Sequence, residues 1–330
     1  MRRREFITLI GSAAAAWPVV ARARQPGRIP VVSVLWHGTR ERELSNPYFY
    51  WFREGFAEVG YKIGVDIVLE DNFADESDAR YNILAPELVE RRPDVLVAIS
   101  APAALALAKV HGDIPLVFVW VADPLGFGLV DSIGKHSQNV TGNSSMTHEL
   151  AAKRLELLRE ANPSLSHVAI LVNPKTKYET ERDVAEYRKT AAIYNIVVDP
   201  FDIAEFDQVQ DAFAKLKESG CDGIVMSSAP IFGLMKKELA DGAISARTPM
   251  VGNNGPFASS GALFAFGPLI REGFTIGAKY VKRVLAGERA NDLPVEQPTR
   301  FEMIVNMKTA KEIGIDLPTS ILLRADKVIE

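Results

Sequence analysis

The sequence predicts an α/β protein built as two doubly wound parallel-sheet lobes joined by a hinge, and three observations carry that prediction. Short β-branched runs alternate with helical stretches along almost the whole chain, the pattern of strand–helix–strand crossovers on a parallel sheet. The alternation runs through two successive series, which predicts two similar lobes facing each other across a cleft. The chain has 330 residues, and removal of 23 at the N-terminus leaves 307, too many for one compact core and suited to two lobes of roughly 150.

The first series opens with a strand over Val31 to Leu35. Tyr48 to Val59 places Phe49, Phe52, Phe56 and Val59 on one helical face, and Gly60 ends it. Val65 to Leu69 reads as a strand, Ala79 to Glu90 as a helix with Ile83, Leu84, Leu88 and Val89 inward, and Asp94 to Ser100 as a strand buried on both faces. A helix from Pro102 to Val110 and a strand from Ile114 to Val119 complete the series.

The polar Asn139–Asn143 stretch holds Gly142 and is the expected first crossing between lobes, with lobe 1 over residues 24–140 and lobe 2 over 141–267. The second series reads as helix His148–Glu160, strand His167–Val172, helix Tyr178–Tyr194, strand Ile196–Phe201, helix Glu205–Ser219 and strand Asp222–Ser227. Helix Pro230–Ala246, strand Pro249–Gly252, strand Ala262–Phe266 and a long helix Leu269–Leu285 follow. Leu293–Pro298 reads as extended, Phe301–Asn306 as a strand and Ala325–Ile329 as a short closing helix.

The N-terminus has the pattern of an export signal. Arg2, Arg3 and Arg4 precede Glu5-Phe6-Ile7, the chain is uncharged from Phe6 to Val20, and Ala21-Arg22-Ala23 offers small residues for cleavage after Ala23. The apolar stretch is too short to span about 30 Å of hydrocarbon, and the consecutive arginines fit a twin-arginine signal, with general secretion as the alternative. No cysteine lies near the cleavage point to take a lipid, so the expected location is the periplasm. Loss of Arg2, Arg3, Arg4, Arg22 and Glu5 moves the formal charge from −4 to −7, which argues against a nucleic-acid partner. The one cysteine, Cys221, permits no intrachain disulfide and reads as a small buried hydrophobe. Nothing in the pattern demands an oligomer, and monomer is the default.

In open parallel sheets, ligands bind at loops following the carboxyl ends of strands. The clearest such loop is Ser100-Ala101-Pro102-Ala103, where Pro102 suits the first helical position and small residues leave backbone N–H groups uncovered. It reads either as an anion site at a helix N-terminus or as a plain capped helix. Asp123, before Pro124, either holds a ligand ammonium or caps the turn, and His37 follows the first strand in the same way as a contact or a solvated loop residue. The second lobe offers Asn173, Ser228 and Asn253, each beside a proline that starts the next element. Of the nearby aromatics Trp36, Trp120, Phe232, Phe257 and Phe266, one or two are expected to stack on a ligand and the rest to be core.

Catalytic motifs are absent. There is no G-x-x-x-x-G-K-[ST] loop, no G-x-G-x-x-G after the first strand, no G-x-S-x-G elbow and no H-E-x-x-H, and the five histidines are scattered. The expectation is a binding protein with no cofactor and no metal, not an enzyme.

Several stretches resemble the ABC-transporter substrate-binding proteins of the type that includes tryptophan- and tyrosine-binding members. They are Arg92-Pro93-Asp94-Val95, Ala101-Pro102-Ala103-Ala104-Leu105, Ile114-Pro115-Leu116-Val117-Phe118, Asp123-Pro124 with Gly128-Leu129-Val130, and Asn139-Val140-Thr141-Gly142. Gln297-Pro298-Thr299 with Phe301-Glu302 and Lys308-Thr309-Ala310 extends the match to the end of the chain. The resemblance implies a type I periplasmic-binding fold that closes on a small organic ligand, such as an amino acid or an aromatic or other small carboxylate, and presents it to an ABC permease; the alternatives are a ligand-sensing module for a membrane receptor and, behind it, an exported α/β enzyme. It further implies that the helix near 268–290 returns to lobe 1, that residues 291–330 complete lobe 2, and that Ser100–Ala103 takes a carboxylate while Asp123 takes an ammonium. Ser100-Ala101 stands where many relatives carry Gly-Thr, so one side-chain hydroxyl of the family is missing here.

Overall fold

The computed structural model describes residues 28–330, so the expected export signal lies outside the described residues. Lobe 1 is a five-stranded parallel sheet of β1 (Val31–Trp36), β2 (Val68–Phe73), β3 (Val95–Ile99), β4 (Leu116–Val121) and β5 (Val140–Ser144), in the order β2-β1-β3-β4-β5. β3 is buried throughout because helices cover both faces of the sheet, which is why it is a continuous apolar run. Lobe 2 holds β6 (His167–Val172), β7 (Val197–Asp202) and β8 (Gly223–Met226) in the order β7-β6-β8. A parallel bridge from Ile224 to Met250 continues it into β9 (Val251–Gly252), β10 (Phe264–Pro268), β11 (Phe301–Asn306) and β12 (Lys327–Ile329). The β10–β11 pair is antiparallel, the one departure from the expected all-parallel pairing among the described residues.

The chain passes between the lobes three times: after β5, after β10 at Leu269, and between Glu296 and β11. The helix Ile270–Leu285 lies in lobe 1 against the helix Pro47–Glu58 and β4. Its approach depends on Gly273, where a Cβ would stand 2.5 Å from the Trp120 ring. The segment after it runs beside β5, with the Glu296 N–H bonded to the Gly142 carbonyl at 3.0 Å.

The structure corrects several expectations. Asn139–Asn143 is not the crossing: Val140–Ser144 is a fully buried strand, and the chain leaves lobe 1 only at Ser145–Thr147. Gly142 serves close strand packing, since a Cβ there would lie 1.9 Å from the Phe118 carbonyl oxygen. The strand expected at Val65–Leu69 begins at Val68, because Gly64 (φ +85°) and the Lys62–Asp66 turn occupy the earlier residues. In the helix Asp78–Glu90 the buried face is Tyr81, Leu84, Ala85 and Leu88, with Ile83 half exposed and Val89 only partly covered. Pro230–Ala246 is broken into a short turn, Pro230–Gly233, and the helix Lys236–Ser245. Ala325–Ile329 holds the strand β12; the C-terminal helices are Met307–Ile313, stopped by Gly314 at φ +79°, and Thr319–Arg324, started by Pro318. Among the described residues no helix is long and apolar enough to cross a membrane, and no His, Cys, Asp or Glu side chains gather as metal ligands.

Candidate functional site

The strand ends of the two lobes face each other across a cleft whose inner part is a cavity of about 80 Å³. Two lobe 1 residues reach it from unusual backbone conformations. Ser100, after β3, sits at φ +84° and ψ 166°, a region that essentially only glycine populates, and starts the helix Ala101–Ala108. Trp120 sits at φ +62°, where the β4–β5 register slips between Phe118 and Val121, and its N–H donates to Asn143 Oδ1 at 2.8 Å. Strain of this kind persists only where surrounding contacts over-determine it, and it collects at ligand sites. Lobe 2 contributes Glu179, Ser228, Asn253 and the Phe232 and Phe257 rings, and the first crossing contributes Ser145 and Thr147.

Among the described residues no Arg or Lys side chain lines this inner cavity, and Glu179 is the only charged wall residue. Glu179 is 5% exposed and forms no ion pair among the described residues. Burial pushes its pKa up to about 7, with Asp183 adding to the rise and His148 opposing it. Asp183 is fully engaged behind it, accepting from the Ser228 N–H (2.7 Å), the Ser228 hydroxyl (2.8 Å) and His148 Nδ1 (2.6 Å). For His148, burial works against the charged ring, but the Asp183 carboxylate outweighs it and the pKa is raised. The hydrogen-bonded His148–Asp183 pair fixes Ser228. Asp183 lies between the imidazole and the serine, so His148 does not contact the Ser228 hydroxyl and the order of a Ser–His–Asp relay is not reproduced.

The fully buried Arg154 braces the same region. Its Nε donates to the Phe266 carbonyl (2.9 Å) and its two terminal nitrogens to the carbonyls of Thr147 (2.9 Å) and Asn253 (3.4 Å), on the first crossing, on β10 and on the cavity wall. A separate outer chamber of about 510 Å³ shares Glu179 as a wall residue and is lined also by His37, Glu76, Pro102, Asn173 and Lys175. Eight buried side-chain polar atoms lack a partner among the described residues, and four of them, on Ser100, Asn253, His37 and Glu76, belong to residues lining the cavity or the chamber. Another recess of about 510 Å³, between Arg42, Trp51 and Arg271, lies behind the Leu269–Ile270 crossing and includes none of the expected strand-end residues.

The pattern of the ABC transporter substrate binding protein family matches residues 48–329 of the chain. The chain belongs to this family. It is 27% identical over 276 residues to a tyrosine-binding protein of Clostridioides difficile (strain R20291), covering 80% of this chain and 75% of that one. Among solved structures it is similar to the ABC domain in complex with L-Trp from Streptococcus pneumonia, at 22% identity and a TM-score of 0.79 over 91% of this chain and 100% of that one. A conserved domain protein from Vibrio cholerae matches at 24% identity and a TM-score of 0.80, with the same coverage. This substrate-binding protein thus has the type I periplasmic-binding fold, in a family of binding proteins and not of enzymes.

Of the residues singled out from sequence, the structure brings Ser100, Ala101, Ser228 and Asn253 together around the inner cavity. His37, Pro102 and Asn173 line the outer chamber instead. Ala103 is fully buried in the lobe 1 core, and Phe266 packs on the lobe 2 core. The Asp123 carboxylate is occupied, accepting from the Gly126 N–H (2.9 Å) and, across the cleft, from the Tyr178 hydroxyl (2.8 Å). Of the aromatics, Trp120, Phe232 and Phe257 line the cavity, whereas Trp36 is core, tilted against Phe49 at 5.2 Å. Sequence reasoning missed Tyr48, Thr147 and Glu179. Glu179 lies in a highly charged helical stretch, Lys177–Ile193, where no local pattern marks one carboxylate as buried.

Proposed function

We propose that this substrate-binding protein is exported to the periplasm, captures a small amino acid by closure of its two lobes, and presents it to an ABC permease for import. The observation that carries the ligand class is Glu179, a buried carboxylate with no ion pair and no basic side chain beside it in the cavity among the described residues. Such a group calls for a cationic partner, and an α-ammonium is small enough to reach it. The uncovered N-terminus of the helix Ala101–Ala108, with the Ser100 hydroxyl, suits the carboxylate at the other end. The aromatic walls suit an apolar or ring-bearing body, in keeping with the tyrosine- and tryptophan-bound relatives. Contacts between lobes support the closure reading: Tyr178 to Asp123, Tyr48 to Asn254 at 3.2 Å, and the Arg42 guanidinium 3.6 Å above the Phe206 ring.

A thermal-shift screen of purified protein against the L-amino acids and matched carboxylates tests this. A ligand at 100 times its dissociation constant adds about 2.7 kcal/mol. The expected result is stabilisation by at least one amino acid, lost on methylation of its ammonium to a bulky quaternary group and weakened at least tenfold by Glu179→Gln. Binding that ignores Glu179→Gln would sink the ammonium assignment.

A further inference from the structure

The turn after β4, Asp123 to Gly128, meets the first turn of the lobe 2 helix Lys177–Ile193 across the cleft. The turn is tied by its own backbone: the Phe127 N–H bonds the Asp123 carbonyl (3.0 Å) and the Gly128 N–H that of Leu125 (2.9 Å), while Asp123 Oδ1 accepts from the Gly126 N–H. Tyr178 of the other lobe docks on it. Its hydroxyl donates to Asp123 Oδ2 at 2.8 Å, and its ring lies 4.4 Å from that of Phe127. Arg182, one turn further along the helix, stands 3.9 Å from the same carboxylate oxygen.

Gly126 makes room for this contact. A Cβ built there would overlap the Tyr178 hydroxyl, its nearest neighbour, and would stand 2.8 Å from Asp123 Cγ. Gly126 does not adopt a positive φ, so the turn itself makes no demand for glycine. Both groups that a Cβ would strike are side-chain ends, which can swing aside without moving the backbone. Alanine at this position therefore leaves lobe 1 as it is and keeps Tyr178 out. Tyr178 directly precedes Glu179, and neighbouring helical residues stand about 1.5 Å apart along the axis. A ligand that holds Glu179 against the cavity thus also holds Tyr178 at the turn.

We infer that the Asp123–Phe127 turn is a latch socket, that Tyr178 seats in it when ligand engages the adjacent Glu179, and that Gly126 is the residue that lets the latch shut. The inference rests on the amino-acid and closure readings above. It adds the contact by which an occupied cavity becomes a held closed state.

Calorimetric titration at pH 7.5 with each of the twenty common L-amino acids tests this on the wild type, Gly126→Ala, Tyr178→Ala and the double variant. Gly134→Ala is the control, because a Cβ there meets nothing within 4 Å and the residue has no positive φ. The expected result, for the amino acid that binds most tightly, is an affinity about tenfold lower in each single variant and within about twofold of that in the double. The control should bind as the wild type does, and ligand-free Gly126→Ala should melt within about 2 °C of it. Wild-type affinity in Gly126→Ala, or a loss that persists undiminished once Tyr178 is gone, overturns the latch and leaves the amino-acid reading intact. A Gly126→Ala chain that melts well below the wild type without ligand also overturns it, since the glycine would then serve the turn. If no amino acid binds, that reading fails, and small-angle X-ray scattering of the ligand-free chain decides for the latch. A larger radius of gyration for Gly126→Trp than for Gly134→Trp sustains it, and equal values end it.

Discussion

Replacing Ser100 with glycine should stabilise the ligand-free protein and weaken its grip on ligand. Ser100 holds φ +84° and ψ 166°, where a residue with a Cβ carries about 1–3 kcal/mol of strain. Its hydroxyl is buried and unpartnered, which adds about 1 kcal/mol or more. Against this, glycine costs about 0.5–1 kcal/mol in chain entropy. The net gain is about 1–3 kcal/mol. With about 2 cal/mol/K of unfolding entropy per residue over some 300 residues, each kcal/mol is worth about 1.6 °C, so Tm should rise by about 2–5 °C. Ligand affinity should fall by about 2- to 10-fold if the hydroxyl bonds the ligand, the worth of one hydrogen bond. Ser100→Ala is the control, because it removes the hydroxyl and keeps the strain. Calorimetric melting of both variants separates the two effects, and a glycine variant no more stable than the alanine variant refutes the strain argument.

The raised pKa of Glu179 makes a signed pH prediction. Its folded value of about 7 lies above the unfolded 4.5, so the stability it contributes is present below pH 4.5 and is lost as pH rises to 7, on the order of 3 kcal/mol. Glu43, also raised to about 7 by burial, titrates in the same window, and Glu179→Gln should remove only its own share of the slope in urea titrations from pH 4 to 8. Arg154→Met strands three buried carbonyls and should cost about 3 kcal/mol or more in the same assay; a loss under 1 kcal/mol would show the brace to be idle. Tyr178→Phe removes a contact that exists only when the lobes meet, so ligand affinity should fall by about 2- to 10-fold with little change in the stability of the ligand-free chain. A loss of stability without a loss of affinity would place Tyr178 in the lobe rather than at the closure.

How far the sequence could be read depended on whether a residue's environment was local. β3 was legible because Val95–Ile99 is apolar and β-branched and is flanked by a proline on each side. β5 was not, because a Val-Thr-Gly-Asn-Ser run looks like a loop. It is buried only because distant groups satisfy it: Thr141 donates to the Leu293 carbonyl (3.0 Å), Asn143 to that of Gly273 (2.6 Å) and Ser144 to that of Ala122 (3.1 Å). β2 was misplaced for a related reason. Glu70 and Asp71 suit an edge strand only because Ser33 and Trp36 of β1 donate to them at 3.0 and 2.8 Å. The site divides in the same way. Strand-end loops named Ser100, Ser228 and Asn253, but Glu179 matters because it closes a cavity with Tyr48 and Ser100 of the other lobe, a relation no local pattern encodes.

Arg154 has a consequence for how such a protein diversifies. All three groups it holds are main-chain carbonyls, which every amino acid supplies. Thr147, Asn253 and Phe266 can therefore be exchanged for other residues without loosening the tie between crossing and cavity wall. The mechanical part of the molecule is insulated from the side chains that choose the cargo, so the recognition surface is free to drift from one solute to another around a joint that stays the same.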